Sequence, residues 1–471
     1  MKRVSLIFLS AVFLGIVCGP VYSCHEYKQK KLNTTMPACT KSFKKANQCT
    51  KCCSGKRCGQ GKSALPSAAS RSVLPKAEEK FNLSDSNGQY NFNPVNVDLP
   101  SWVNDAGKTM YVDAAPGQDM TRAIQSAIDS LGSAGGKIIL RGGNYTCSGV
   151  LTLGSNVTLE GEGSDKTFLD FKGKGYLALK NSNVMVRGLH VSSEGMKHDW
   201  GTGAVKITAS NVAVVDVTGT CDSGPMAVFF VLSNGKNLEN LYFANCVADN
   251  PGAFGFMHNS WSGVNTHKNV TYLNCQAINC GRYERANDWV TGFNFGEQNN
   301  IENLYVEGCL AEGAWESGYH FEYAPMMTNA TFKNCASKDN GQKRAISMTG
   351  RDNDEKFFGA GFNIRVAKNV DFIDCSSSGD ATAGFHLLQV KGGSLQNCTV
   401  DGAGTGQSKV TTKGVLISTP VSFWLHACNG FDVSDCSSAG SRGFGLYIYN
   451  MRDGVNVSNF QTQNDILGNK Y

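Results

Sequence analysis

Short alternating phrases of apolar and polar residues recur along most of this chain. From Lys137 onward the unit Asn, aliphatic, polar, aliphatic or aromatic returns at Asn156-Val157, Asn183-Val184, Asn211-Val212, Asn237-Leu238, Asn269-Val270, Asn300-Ile301, Asn329-Ala330 and Asn369-Val370, at intervals of 27, 28, 26, 32, 31, 29 and 40. Such periods, punctuated by Gly, Asn, Asp and Ser, leave no room for the helices of leucine-rich or TPR arrays and predict coils of three short strands.

A sharper phrase follows in each repeat: Gly292-Phe293-Asn294-Phe295, Gly318-Tyr319-His320-Phe321, Gly361-Phe362-Asn363-Ile364, Gly384-Phe385-His386-Leu387 and Gly443-Phe444-Gly445-Leu446, with Ser422-Phe423-Trp424-Leu425 as a looser copy. Strand side chains alternate, so the aromatic and the residue two later face one way and the residue between faces the other. Stacking about ten such coils buries a column of Phe and Tyr and presents Asn294, His320, Asn363, His386 and Trp424 on the outer face. A column of Cys246, Cys275, Cys309, Cys335, Cys375, Cys398 and Cys436 fits the same register. Rungs roughly 4.8 Å apart suit packing better than disulfides, which want Cβ atoms about 3.8 Å apart, so these are expected as free, buried thiols.

The exposed end of a coil stack needs a cover. Asp119 to Leu131 predicts an amphipathic helix with Asp119 as N-cap and Ile124, Ile128 and Leu131 on one face. This helix, then Gly135-Gly136-Lys-Ile-Ile-Leu, Gly143-Asn-Tyr and Leu159-Glu-Gly-Glu-Gly163, resembles the opening of pectin-lyase-like proteins, and the similarity runs over roughly Pro94 to Val457. The resemblance implies an all-β fold, a right-handed parallel β-helix. It also implies a polysaccharide ligand or substrate, handled by β-elimination, C5 epimerisation or hydrolysis in a groove along one sheet. Fold alone does not choose among these. The Asn-Thr-Asp, Gly-His-Gly and Arg-Ile-Lys set of polygalacturonases, the Arg-x-Pro-x-x-Arg of pectate lyases and the Asp-Pro-His of alginate epimerases do not occur here. Lyases of the superfamily often use calcium, for which Asp288, Glu297 and Glu322 are the candidate ligands; no zinc-type Cys and His spacing is present, and no cofactor is otherwise expected.

The groove therefore has to supply the chemistry. His320, Glu322, Arg365 and His386 are the candidate catalytic residues: His320 and His386 would lie roughly 10 Å apart across Asn363. In an elimination or epimerisation, His320 or His386 would take the proton beside a uronate carboxylate while Arg365 neutralises the enolate. In a hydrolysis, Glu322 and Glu297, with Asp288 or Glu316, would flank the glycosidic bond. A plain Glu322–Arg365 surface ion pair, worth little, competes with both. The phrases Trp200-Gly-Thr-Gly203, Trp289-Val-Thr-Gly292 and Trp315-Glu-Ser-Gly318 put a Trp in the turn before the second strand. Trp289, Asn294, Glu297, Trp315, Asn363 and Trp424 are thus the candidate sugar-binding residues; the competing reading is that the Trp residues merely cover the coil edge. Long excursions at Lys338 to Gly359 and Gly404 to Pro420 would wall the groove.

Composition divides the chain. Lys2 and Arg3 followed by an apolar run from Val4 to Val17 predict a signal peptide over residues 1–23, cleaved before Cys24, with lipidation of Cys24 as the alternative. Export permits disulfides. Of the 18 Cys, Cys24, Cys39, Cys49, Cys52, Cys53 and Cys58 crowd a module at 24–58, where three bridges are expected. A flexible linker over 59–93 and the β-helix domain over 94–471 follow. The net charge of +5 conceals a balance of +10 between Cys24 and Lys80 and about −7 from Phe81 onward. The basic module is a candidate for holding an anionic surface or polymer. No nucleic-acid motif and no later membrane-spanning run occurs, and Asn144-Tyr-Thr and Asn269-Val-Thr are candidate glycosylation sequons. Together these predict a secreted, or surface-attached, carbohydrate-active enzyme, most simply a polysaccharide lyase. A glycoside hydrolase or a non-catalytic glycan-binding surface or matrix protein are the alternatives.

Overall fold

The computed structural model describes residues 94–103, 107–281, 290–322, 326–342, 359–404, 420–449, 454–465 and 468–470. The expected signal peptide, Cys-rich module and linker, together with Trp289, Asp288 and most of both long excursions, lie outside them.

The described chain winds as a parallel β-helix, every strand pairing in parallel with its counterpart one coil on. Three sheets result. The first contains Asp199–Ile207, Pro225–Ser233, Phe254–Ser260, Phe293–Asn294, Tyr319–Phe321, the starts of Ala360–Ile373 and Ala383–Gln396, then Val421–His426 and Phe444–Tyr449. The second carries longer strands such as Asn265–Leu273, Asn299–Glu307 and Met327–Lys333. The third is a ladder of three-residue strands, among them Gln276–Ile278, Leu310–Glu312 and Ala336–Lys338.

The interior follows from the alternation. Phe229, Phe256, Phe293, Tyr319, Phe362, Phe385 and Phe423 stack ring on ring with centroids 4.6 to 5.1 Å apart. The second sheet adds Phe243 on Tyr272 and Phe332 on Phe372, set edge-on to the first stack. Offset stacked and edge-to-face pairs of this kind add about 0.5–1.5 kcal/mol each beyond burial. One expected member is out of register: Phe423 pairs with Leu446, not Phe444, which pairs with Val421. Phe444 instead packs with Val421, Trp424, Tyr447 and Tyr449. The Gly-Phe-Gly-Leu spelling matched the repeat, but backbone pairing placed the smaller Leu446 in the column.

The turns carry their own ladder. Asn156, Asn183, Asn211, Asn240, Asn269, Asn303, Asn329 and Asn369 all have φ between 53° and 60°, a left-handed conformation that Asn tolerates. Each side-chain amide donates to the Asn Oδ1 of the coil before it, at 2.8 to 3.3 Å. The repeat phrase read from sequence placed Asn237 and Asn300 here; Asn240 and Asn303 occupy the positions, because a turn needs an Asn at the residue with positive φ and either spelling of the phrase supplies one nearby.

Eleven cysteines, including the seven of the expected column, are free and buried. Their thiols donate to carbonyls of their own turn or of the preceding coil, as Cys335 does to Lys333 and Val306. The capping helix spans Thr121–Asp129, with Ile124 and Ile128 buried beside Leu131. The N-cap position falls on Met120, one residue past the expected Asp119, yet Asp119 accepts the Thr121 N–H at 2.9 Å. Hydrogen bonds from Ser148 and Thr121 hold its carboxyl well below the usual carboxylate range.

Candidate functional site

One column runs along the outer side of the first sheet. Pairing links Lys206, Phe230, Met257, Asn294, His320, Asn363, His386, Trp424 and Tyr447 in successive coils. Its polar middle is flanked by Phe230 and Met257 on one side and by Trp424 and Tyr447 on the other, with Lys206 beyond Phe230. The alternation thus brings His320 and His386 onto one strip, as expected.

Their surroundings differ from an open display. Asn294, His320, Asn363, Arg365, His386 and Trp424 are all buried, with 0 to 5% of their surface exposed. Buried polar groups persist only when paired, and these pair along the column. Asn363 lies between the imidazoles, its Nδ2 3.2 Å from His320 Nδ1 and its Oδ1 accepting from His386 Nδ1 at 3.0 Å. The His386 ring packs at 4.4 Å on Trp424. Trp424 is thereby a packing residue of the His386, Val421 and Tyr447 cluster rather than an open sugar platform.

Three carboxyl groups gather around His320. Glu316 Oε1 is 3.2 Å from His320 Nδ1, and Glu322 Oε1 is 3.8 Å from Nε2 and 3.9 Å from Arg365 Nη1. Asn294 Nδ2 donates to Glu297 Oε1 at 3.3 Å. Burial opposes the imidazolium of His320, but Glu316 and Glu322 outweigh it and push the ring up to about 10. A histidine so held is cationic at neutral pH and has no lone pair to act as base. The acids beside His320 thus favour its protonated form, the opposite of what a proton-abstracting base needs. His386 moves oppositely: burial, then the Arg365, His426 and His320 charges, drive it well below its ordinary value. Burial also raises Glu316, which the His320 imidazolium pulls back part of the way. Glu297, half-buried, is pushed up to about 7 by desolvation first and Glu322 next.

Arg365 and Glu322 do meet across one rung. With Arg365 buried and His320 on the other side of Glu322, the contact belongs to the cluster and is not the surface pair considered above. Trp315 is partly buried against the core and, with Gly281 of the coil before it, borders a groove of about 480 Å³. Trp200 is 54% exposed, with His198 edge-on at 4.9 Å. Sequence reasoning underweighted Glu316. It stands in the turn four residues before His320, outside the strand alternation that ranked the other candidates, and the fold of that turn places it against the ring. Among the described residues no group of three or more His, Cys, Asp or Glu is arranged to hold a metal ion.

No protein-family model matches the chain, and no curated protein matches it. Solved structures that it resembles include the A-module of mannuronan C-5 epimerase AlgE4 from Azotobacter vinelandii, at 15% identity over 75% of this chain and 94% of that one, with a TM-score of 0.42. Others are the catalytic unit of the GH87 α-1,3-glucanase from Streptomyces thermodiastaticus strain HF3-3, at 14% over 78% and 72% with a TM-score of 0.38, and PfbA, a surface adhesin of Streptococcus pneumoniae, at 16% over 75% and 90% with a TM-score of 0.43.

Proposed function

We propose that this protein is an exported polysaccharide-active enzyme that cleaves glycosidic bonds by acid–base catalysis at the Glu297–Glu322 pair. The observation that carries this reading is the carboxyl cluster around one cationic histidine. Glu297, raised to about 7, holds a proton near neutrality and can give it to a leaving oxygen, while Glu322 beside it serves as base or nucleophile. His320 and Arg365 balance the negative charge. Asn294 orients Glu297 through its amide.

An elimination or epimerisation is less well served. It requires a neutral base and a welcome for a uronate carboxylate, and His320 is cationic while Glu297, Glu316 and Glu322 crowd the same space. Export rests on the apolar run Val4 to Val17 behind Lys2 and Arg3; among the described residues no helix is long and apolar enough to cross a membrane.

The test is product analysis on neutral and uronate-containing polysaccharides. New reducing ends without absorbance at 235 nm are expected, with Glu322→Gln lowering kcat by about 10²–10⁴-fold. Unsaturated products would restore the lyase reading with His386 as the base to examine. Retained binding without turnover of any polymer would make the protein a glycan-binding surface or matrix protein.

A further inference from the structure

The turn between the third and first sheets holds a second, shallower feature. Its left-handed positions are Asn250, Asn279 and Gly313 in successive coils, with φ of 47°, 50° and 65°. The amide of Asn279 donates to Asn250 Oδ1 at 2.8 Å, as in the other Asn ladder. At Gly313 this ladder stops. A Cβ there would fall 2.3 Å from Asn279 Oδ1, so the missing side chain leaves that oxygen facing open space, and among the described residues it accepts no hydrogen bond.

That space is the groove of about 480 Å³, lined by Asn250, Asn279, Cys280, Gly313, Trp315 and Gln342. Among the described residues the lining carries no charged side chain, and burial keeps the Cys280 thiol protonated. The indole of Trp315 forms one side. Its backbone is pinned, Trp315 N–H donating to Cys280 O at 2.9 Å and Glu316 N–H to Val290 O at 2.8 Å. Trp315 and Glu316 are consecutive residues, one lining the groove and the other meeting His320.

We propose that this groove is a subsite for an uncharged sugar, whose ring stacks on Trp315 while a hydroxyl donates to Asn279 Oδ1, and that it feeds a neutral polysaccharide toward the carboxyl cluster. The part about feeding rests on the hydrolytic reading above; the binding does not. An aromatic face beside neutral amide acceptors matches the apolar face and hydroxyl rim of a pyranose. A uronate would bring a carboxylate to a lining that, among the described residues, offers neutral amides and an indole and no cation.

Two variants of the full chain separate the outcomes. Trp315→Ala removes the stacking face. Gly313→Asn puts a Cβ where Asn279 Oδ1 now lies, so the Asn279 amide must swing aside and the groove loses both its acceptor position and its space, while the backbone keeps a conformation that Asn already adopts at Asn250 and Asn279; the melting temperature is measured to confirm that the variant stays folded. Binding of cellohexaose, maltohexaose, xylohexaose and hexagalacturonate is measured by titration calorimetry. At least one neutral hexasaccharide should bind, more tightly than hexagalacturonate, and each variant should weaken it about tenfold or more. The proposal is overturned if no neutral hexasaccharide binds, if hexagalacturonate binds best, or if both variants bind like the parent. Groove-dependent binding without release of reducing ends would keep the subsite and remove the hydrolytic reading. Release of reducing ends from a neutral polysaccharide with KM unchanged in both variants would do the reverse.

Discussion

His258 and His320 come from strands of the same sheet two rungs apart, Phe254–Ser260 and Tyr319–Phe321, yet they face opposite sides and their protonation is driven in opposite directions. His258 points into the stack, its Nδ1 2.8 Å from His267 Nδ1 and its Nε2 2.8 Å from the Tyr272 hydroxyl. No acid accompanies them. Burial, then His267, drives His258 well below its ordinary value, and burial lowers His267 to about 3. His320 is as deeply buried, but Glu316 and Glu322 raise it to about 10. Burial alone therefore does not decide a histidine's charge here; the carboxyl groups delivered by the turn before its strand and by the residue just after it do. The interior group serves packing and the outer one holds charge ready for chemistry.

The largest expected difference between these two regions is in stability. Tyr272→Ala removes a ring stacked on Phe243 and edge-on to Phe293, and should cost about 3–5 kcal/mol in denaturant unfolding. Asn363→Ala removes the acceptor of the His386 Nδ1–H and should cost about 1–3 kcal/mol. A reversed order would mean that the outer column, not the lumen, holds the coils together.

Acid should act next, through the interior pair. Native His258 and His267 are neutral whereas the unfolded chain takes up protons below about 6.5, so stability present above that pH is lost as it falls toward about 3. His267 stands in register between Leu238 and Ile301, so His267→Leu should fit the column. A melting temperature that declines less steeply with acid in this variant would support the assignment; an unchanged slope would refute it.

The smallest change sharpens the comparison at its outer end. His320 binds its proton more tightly folded than unfolded, so its contribution is full below 6.5 and lost as pH rises through about 10. Glu316→Gln removes the nearest acid, and the His320 imidazole, followed by NMR, should titrate closer to neutrality. An unmoved titration would mean that Glu316 does not set the charge of the site.

Much of this was legible without coordinates. Alternation along Gly318-Tyr319-His320-Phe321 and its copies assigned the buried aromatics and placed Asn294, His320, Asn363, His386 and Trp424 on one outer column, because a strand has period two whatever surrounds it. The left-handed Asn turns left their mark too, though the repeat shifted by three residues at Asn240 and Asn303. Phe444 shows the limit of spelling: two phases of one phrase fit the sequence, and only pairing with Val421 chose between them.

The chain by itself determined the period, the coil and the split between lumen and outer face, since these follow from local backbone geometry and from which side chains avoid water. The tertiary structure alone decided who neighbours whom in charge. Glu316 reaches His320 through a turn, Glu322 stands between His320 and Arg365 from adjacent coils, and the Asn279 ladder ends where Gly313 provides no partner. Glu322 and Arg365 come from adjacent coils and Asn279 and Gly313 from successive turns, while Glu316 and Glu322 flank His320 in its own coil and meet it only because the turn and strand fold that way; electrostatic coupling depends on the distance through space, which linear spacing alone does not report.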